Sequence, residues 1–307
     1  MQATVYKSTG SWYQVKAADG NTYKARIKGV FKIDGISSTN PIAVGDTVTI
    51  EFENTAENTV VINAIEPRKN YIARVSPHNK NAHHIVASNL TQSLLFATLK
   101  SPKTSSGFID RFLVSAESQH VPAILIFNKA DLYKQKELDT FEQFKETYTS
   151  CGYQVYLCSL FTGEGLEQIK HLLQNQITLL TGHSGVGKST YINTLFPQLS
   201  LRTQEVSDWS GKGLHTTTFA EMFDVPGGGQ LIDTPGIREL GVFDIERTEL
   251  AHYFPEMRAA MHLCQFNNCM HINEPNCAIK EAVNMGAITV DRYASYLSIL
   301  ETMPKPR

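Results

Sequence analysis

The sequence predicts a multi-domain chain of three units: an N-terminal all-β barrel of the OB type over residues 1–67, a central α/β domain over 68–243, and a C-terminal, mainly helical, zinc-binding unit over 244–307. Three observations predict it. Short β-rich runs separated by turn residues fill the first unit, and apolar strands alternate with helical patterns through the second. Cys264, Cys269, His271 and Cys277 crowd into one segment of the third. A chain of 307 residues has room for two or three domains, and a 42% apolar share suits packed cores.

In the first unit, Trp12–Lys16, Thr22–Lys28, Asp46–Phe52 and Thr59–Ile65 read as strands, with Asp19-Gly20 and Val44-Gly45-Asp46 as turns. A small barrel fits this pattern, and 66–70 reads as a linker. In the second unit, strands are expected at Ser93–Thr98, Ala123–Asn128, Gln154–Cys158, Ile177–Gly182, Phe219–Val225 and Gln230–Asp233. Helices are expected at Phe108–Ser118, Leu138–Thr149, Leu166–Leu173 and Lys188–Leu195. This alternation implies a largely parallel, doubly wound sheet. The third unit ends in a helical run, Thr289–Met303, with Tyr293, Tyr296, Leu297 and Leu300 at helical spacing.

The central unit carries a phosphate-binding loop, Gly182-His183-Ser184-Gly185-Val186-Gly187-Lys188-Ser189, followed by Thr190. It lies between an apolar strand and a helical pattern, the context such a loop requires. Glycines let backbone N–H groups close around phosphates, and a helix N-terminus adds a favourable dipole. Lys188 is placed to reach the β- and γ-phosphates, and Ser189 to ligate Mg²⁺. Asn128-Lys129-Ala130-Asp131 ends another strand. A carboxylate there accepts from guanine N1–H and the 2-amino group together, a donor pair adenine lacks. Asp131 is thus the guanine selector, Lys129 lies along the base, and Asn128 and Ala130 complete the loop. Ser159 ends the next strand, where a backbone contact to guanine is expected. Asp233-Thr234-Pro235-Gly236 supplies a further Mg²⁺-linked carboxylate in Asp233 and a γ-phosphate amide in Gly236.

The order of these motifs is unusual. The guanine motif precedes the phosphate loop, and the Asp233 turn comes last, whereas ordinary GTPases open with the phosphate loop. The central unit therefore reads as a circularly permuted P-loop GTPase domain. Permutation is topologically tolerable because domain termini lie at the surface, often close together. Ile237 occupies the place where Ras-like GTPases carry a water-orienting Gln. The segment Gly211–Thr218 sits between the first helix after the phosphate loop and the next strand, where a switch belongs. Thr217 is the favoured threonine for the Mg²⁺ shell, and His215 can hydrogen-bond a water at neutral pH. On spacing alone, His215 is equally a loop histidine without a role.

Cys264-x4-Cys269-x-His271-x5-Cys277 is a Cys₃His set that suits a closed, structural tetrahedral Zn²⁺ site. Five cysteines, an odd number, argue against a disulfide framework, with Cys151 and Cys158 read as core residues. In the first unit, Lys24, Arg26 and Lys28 alternate along one strand and share a face opposite Tyr23, Ala25 and Ile27. Such a stripe reads either as an RNA surface or as a solvated barrel face. The net charge of −2 gives no global pull towards nucleic acid. No signal-peptide pattern opens the chain, and no apolar run approaches the ~18 residues that span a bilayer. A cytoplasmic protein, with no membrane partner and monomeric, is the expectation.

These motifs together resemble the circularly permuted, ribosome small-subunit-dependent GTPase A family (RsgA). The resemblance rests on the motif order, the run from Ser207 to Thr218, the run Ile232-Asp233-Thr234-Pro235-Gly236-Ile237-Arg238-Glu239, and the Cys/Cys/His/Cys spacing. It implies an OB-fold, a permuted G domain and a zinc domain. It also implies a factor acting late in maturation of the 30S subunit, binding GTP/GDP and 16S rRNA, with slow GTP hydrolysis that the subunit accelerates. The family's proposed catalytic histidine maps onto His215. The alternative is a non-hydrolysing, GTP-sensing RNA-binding module.

Overall fold

The computed structural model describes residues 1–27, 40–54, 58–75, 83–199, 220–234 and 245–304. The N-terminal strands are β1 (Gln2–Ser8), β2 (Tyr13–Ala17), β3 (Thr22–Ile27), β4 (Thr47–Asn54) and β5 (Thr59–Ile65). Antiparallel pairings join β1–β2, β2–β3, β4–β5 and β1–β4, and a parallel pairing joins β3–β5. The ring is thus closed, which removes free sheet edges. Alternation drives it: Val5, Val15, Ala25, Val48, Ile50, Val60 and Ile62 all point into one core. Strands β2 to β5 fall where the sequence predicts strands. The unpredicted strand is β1, in which Ala3 and Val5 supply the inward face.

The segment read as a linker is anchored. Arg68 donates from Nε and Nη2 to the two carboxylate oxygens of Asp46, each at 2.7 Å, and both side chains are buried. Asp46 also accepts from Ser88 Oγ at 2.6 Å and from the Ala43 N–H at 2.8 Å. Ser88 belongs to a hairpin that the sequence reading did not predict, β6 (Tyr71–Val75) with β7 (His83–Ser88). The barrel packs tightly on this hairpin. A Cβ at Gly45, where φ is +94°, would lie 2.2 Å from the Ser88 carbonyl oxygen.

The central sheet follows: β8 (Gln92–Ala97), α1 (Ser106–Ser118), β9 (Ala123–Phe127), α2 (Gln135–Ser150), β10 (Gln154–Leu157), α3 (Leu166–Leu172), β11 (Ile177–Thr181), α4 (Lys188–Leu195), β12 (Glu221–Asp224) and β13 (Gln230–Asp233). The spatial order is β10-β9-β8-β11-β13-β12. Every neighbouring pair is parallel except β12–β13. Both faces are covered, as parallel strands require: Leu95 and Phe127 face one core, and Leu94, Phe96 and Leu180 the other. The chain walks outward from β8 to β10 and then returns to place β11 on the other side of β8. That reversal opens a crevice at the carboxyl ends of β8 and β11, the position where open α/β sheets bind ligands. β1 of the barrel continues this sheet by pairing antiparallel with β12 at Lys7↔Glu221. Salt bridges Lys7–Glu221 (2.7 Å) and Lys16–Asp224 (2.5 Å) flank the junction.

The C-terminal unit contains α5 (Pro255–Ala260), α6 (Ala278–Asn284) and α7 (Val290–Thr302), with 3₁₀ turns before α5 and after it. Its core includes Leu250, Phe254, Met257, Ile279, Tyr296 and Ile299, and it takes in Val114 of α1. Arg292 of α7 is buried against α1, with Nη1 at 2.7 Å from Asp110 Oδ1 and Nε at 2.7 Å from Glu256 Oε1. The Arg292 guanidinium lies 4.6 Å from the ring centre of Phe254. Among the described residues, no helix is long and apolar enough to cross a membrane.

Candidate functional site: a nucleotide crevice and a Cys₃His cluster

The phosphate loop leaves β11 at Gly182 and enters α4 at Lys188. Gly182, Gly185 and Gly187 all have positive φ, at +135°, +81° and +94°. A Cβ at Gly182 would meet the Phe96 carbonyl oxygen at 2.3 Å, so the loop passes too close to β8 for any side chain. Lys188 is buried, and its ammonium donates to the carbonyls of Gly182 at 2.8 Å and His183 at 3.0 Å. Burial pushes its pKa down to about 8, against the opposing pull of Asp233. Ser189 and Thr190 occupy the first turn of α4, beside helix N–H groups that have no intrahelical acceptors. The His183 ring lies on Phe108 at the start of α1, with centroids 3.8 Å apart. Val186 is buried beneath the loop, while Ser184 faces outward.

Asn128, at the end of β9, reaches this loop directly. It is buried, and its Nδ2 donates to the Val186 carbonyl at 2.9 Å. Its Oδ1 accepts from Cys158 Sγ at 3.3 Å. Tyr133, which the sequence reading did not single out, braces the same loop from below. Its hydroxyl donates to the Asn128 carbonyl at 2.7 Å and accepts the Leu99 N–H at 2.9 Å. An aromatic two residues past Asp131 was the available signal. Lys129 has a left-handed backbone (φ +66°), and its ammonium donates to the Ser101 carbonyl at 2.5 Å. The Ala130 N–H donates to the Cys158 carbonyl at 3.0 Å. Asp131 is exposed, and its Oδ1 accepts from Ser159 Oγ at 2.5 Å. The Ser159 backbone N–H donates to the Glu164 carbonyl at 3.0 Å, so the side chain that reaches Asp131 sits on a closed loop.

Asp233 ends β13 next to β11, paired with Leu180 in register. Its Oδ1 is buried without a hydrogen-bond partner among the described residues. Burial raises its pKa to about 6, and Lys188 opposes the rise. An orphaned buried carboxylate oxygen beside a phosphate loop fits a hard divalent cation such as Mg²⁺, and Ser189 would be the companion ligand. Thr234 pins the strand end by donating from Oγ1 to the Leu180 carbonyl at 2.9 Å. His215, Thr217 and Gly236 lie outside the described residues.

In the C-terminal unit, the ligand atoms of Cys264, Cys269, His271 and Cys277 all lie within 4.8 Å of one another. His271 Nδ1 faces two sulfurs, Cys277 Sγ at 3.4 Å and Cys264 Sγ at 3.6 Å. The residues therefore fit a tetrahedral metal ion with no open position. Glu274 shapes the loop by accepting from the N–H groups of Met270, Ile272 and Asn273. Tyr293 and Tyr296 of α7 donate to the carbonyls of His271 (2.6 Å) and Met270 (2.9 Å), which ties the cluster to the helical core.

On the barrel, Lys24 and Arg26 are exposed on β3, opposite buried Tyr23 and Ala25. The Lys24 ammonium sits 4.3 Å from the ring centre of Trp12, and a surface cavity of about 420 Å³ is lined by Lys7, Trp12, Tyr13 and Lys24. Arg26 is ion-paired with Glu53. Lys28 lies outside the described residues.

A doubly wound sheet, with a phosphate loop and a guanine motif meeting at its switch point in permuted order, defines a circularly permuted GTPase. Family models agree: the RsgA GTPase model matches residues 65–243, and the RsgA N-terminal domain model matches residues 2–60. The chain belongs to the RsgA GTPase family. It is 50% identical over 301 residues to the small ribosomal subunit biogenesis GTPase RsgA of Bacteroides fragilis, covering 98% of this chain and 96% of that one. A protein of the same description from Christiangramia forsetii is 49% identical over 302 residues, again covering 98% and 96%. Among solved structures, YjeQ from Thermotoga maritima superposes with a TM-score of 0.77 at 31% identity, covering 100% of this chain and 99% of that one. YloQ, described as a circularly permuted GTPase, superposes with a TM-score of 0.72 at 29% identity, covering 99% and 96%.

Proposed function

We propose that the chain hydrolyses GTP to GDP and phosphate under stimulation by the small ribosomal subunit, as a cytoplasmic factor in late 30S maturation that contacts 16S rRNA. The observation that carries the nucleotide part is the Asn128–Val186 hydrogen bond, which fixes the guanine loop against the phosphate loop across one crevice. In this reading, Asp131 accepts from the guanine edge, held by Ser159, and Lys129 lies along the base. The amides of residues 183–189 and the N-terminus of α4 surround the phosphates. Lys188 leaves its two carbonyl partners for the β- and γ-phosphate oxygens.

Mg²⁺, held by Ser189, Asp233 and Thr217, would neutralise charge on the β- and γ-oxygens. His215 orients the attacking water, and Gly236 donates to the γ-phosphate. The Cys₃His cluster holds a structural Zn²⁺, and its donor set of three sulfurs and one imidazole supports that metal. Lys24, with Arg26 and Lys28, forms part of the rRNA-facing barrel surface, and Trp12 beside Lys24 supports a stacking contribution. We place the functional divisions at residues 67 and 243.

The permutation itself has a role in this reading. The chain that follows Asp233 leads in sequence directly into the C-terminal unit, so a γ-phosphate at the crevice can bias how that unit meets the subunit. A nucleotide biases two states only by its differential affinity for them. Equal subunit affinity with GDP and with a non-hydrolysable GTP analogue contradicts this part.

The test of the whole is steady-state GTP turnover by the purified protein, alone and with small or large ribosomal subunits, at fixed salt and Mg²⁺. Stimulation by the small subunit alone is expected. Turnover that stays flat with both subunits favours the GTP-sensing RNA-binding module instead.

A further inference from the structure

The loop after β10 presents a side chain that the fold does not use. Phe161 is 89% exposed, the most exposed large apolar side chain among the described residues. Its neighbours turn inward: Cys158 is fully buried, and Leu160 packs on the core that contains Leu180 and Ile192. The loop is nonetheless well fixed. The Ser159 N–H donates to the Glu164 carbonyl and the Gly163 N–H to the Ser159 carbonyl, both at 3.0 Å. Ser159 Oγ accepts the N–H groups of Phe161 at 3.2 Å and Thr162 at 3.3 Å, and itself donates to Asp131 Oδ1 at 2.5 Å. One hydroxyl therefore ties the backbone of Phe161 to the carboxylate that faces the base.

We propose that Phe161 is the stacking surface for the nucleotide's guanine ring, a specificity-supporting residue that covers one face of the base while Asp131 holds its edge. The proposal rests on the reading of Asp131 as the guanine acceptor. A purine has a polar edge and two flat, weakly hydrated faces. Edge hydrogen bonds made in open water compete with solvent and yield little net gain. In the proposed reading Lys129, the long side chain on the other recognition loop, lies along one face of the ring, which leaves a second face to cover. An aromatic side chain with two torsions on a hydrogen-bonded loop covers that face at small entropic cost. Stacking is tolerant of base identity, because every base has a π-face. Phe161 then supplies affinity, and Asp131 supplies the choice of guanine. The stack does not involve the phosphates, so GDP and GTP are affected alike.

Calorimetric titration of GDP and of a non-hydrolysable GTP analogue into the parent, Phe161→Ala, Phe161→Tyr and Asp131→Asn tests this. Phe161→Ala is expected to weaken both nucleotides by about tenfold, within the range for loss of a base–aromatic stack. Phe161→Tyr is expected to stay within about twofold of the parent. Far-UV circular dichroism checks that Phe161→Ala folds, as an exposed position should. Parent-like GDP affinity in Phe161→Ala, with Asp131→Asn losing GDP, overturns the stacking role and leaves the guanine site standing. Parent-like affinity in both variants removes the guanine assignment of the loop, and the proposal with it. Unchanged GDP affinity in Phe161→Ala combined with weakened small-subunit binding would make Phe161 a docking contact, and also overturns the proposal.

Discussion

The side-chain amide of Asn128 donates to the backbone carbonyl of Val186 at 2.9 Å, across 58 residues of chain. The bond is buried, and it ties the 128–131 loop, the proposed reader of the base, to the 182–189 loop proposed to hold the phosphates. Gly187 makes room for it: a Cβ there, at φ +94°, would fall 2.5 Å from Asn128 Nδ2. Asn128→Ala strands a buried carbonyl and is expected to cost about 1–3 kcal/mol of stability. GDP affinity should fall with it, because both loops lose their mutual reference. Thermal unfolding and GDP titration of this variant check the claim, and Gly187→Ala should show the same pairing of losses.

The pH dependence of nucleotide binding follows from Lys188. Its pKa in the free protein is about 8, lowered from 10.5 chiefly by burial. Because the folded pKa is depressed, the burial penalty acts fully below pH 8 and is relieved as pH rises from about 8 towards 10.5. Phosphates favour the charged ammonium, so binding takes up a proton above pH 8. Nucleotide affinity should therefore fall as pH rises through about 8. Calorimetry in two buffers of different ionisation enthalpy reads the proton uptake directly. Lys188→Met should bind more weakly and show no uptake in that window.

Arg292 ties the C-terminal unit to α1. Its guanidinium serves Asp110 and Glu256 together, and the Tyr148 hydroxyl also donates to Asp110 at 2.9 Å. Arg292→Met leaves buried carboxylates unpaired and is expected to destabilise the protein by about 3–5 kcal/mol. Chemical denaturation should show the loss, and Asp110→Asn in the Arg292→Met background should recover part of it. Independent, additive effects of the two substitutions would contradict the coupling.

Metal removal should loosen the same unit. With Cys264, Cys269, His271 and Cys277 converging on one point, a strong chelator is expected to lower the unfolding temperature. Native mass spectrometry should find one zinc ion per chain before chelation and none after. Cys277→Ser should reproduce the loss without chelator.

Much of this was legible in sequence because the carriers are local. The phosphate loop sits between a strand and a helix, and α4 spans Lys188–Leu195 as its pattern predicted. The Cys₃His set lies within one short segment. What escaped were contacts made over long separations. Arg68 sits in a polar run that reads as a tether, yet it is buried on Asp46. The β6–β7 hairpin was hidden in the same way: its close approach to the barrel turn, Ser88 against Gly45, joins segments far apart in sequence. The Asp110–Arg292 pair spans 182 residues and leaves no local trace. Ser159 was placed in the site, but the engagement of its N–H by Glu164 depends on a loop closure that spacing does not reveal.

The most direct measurement is nucleotide selection by Asp131→Asn. GDP, xanthosine diphosphate and ADP would be titrated into the parent and the variant under one salt and Mg²⁺ condition. The permuted GTP site predicts that the parent binds GDP and rejects ADP, and that Asp131→Asn loses GDP and gains xanthosine diphosphate. A variant that still binds GDP as the parent does, or a parent that binds ADP equally well, would contradict the guanine site formed by Asn128, Asp131 and the phosphate loop.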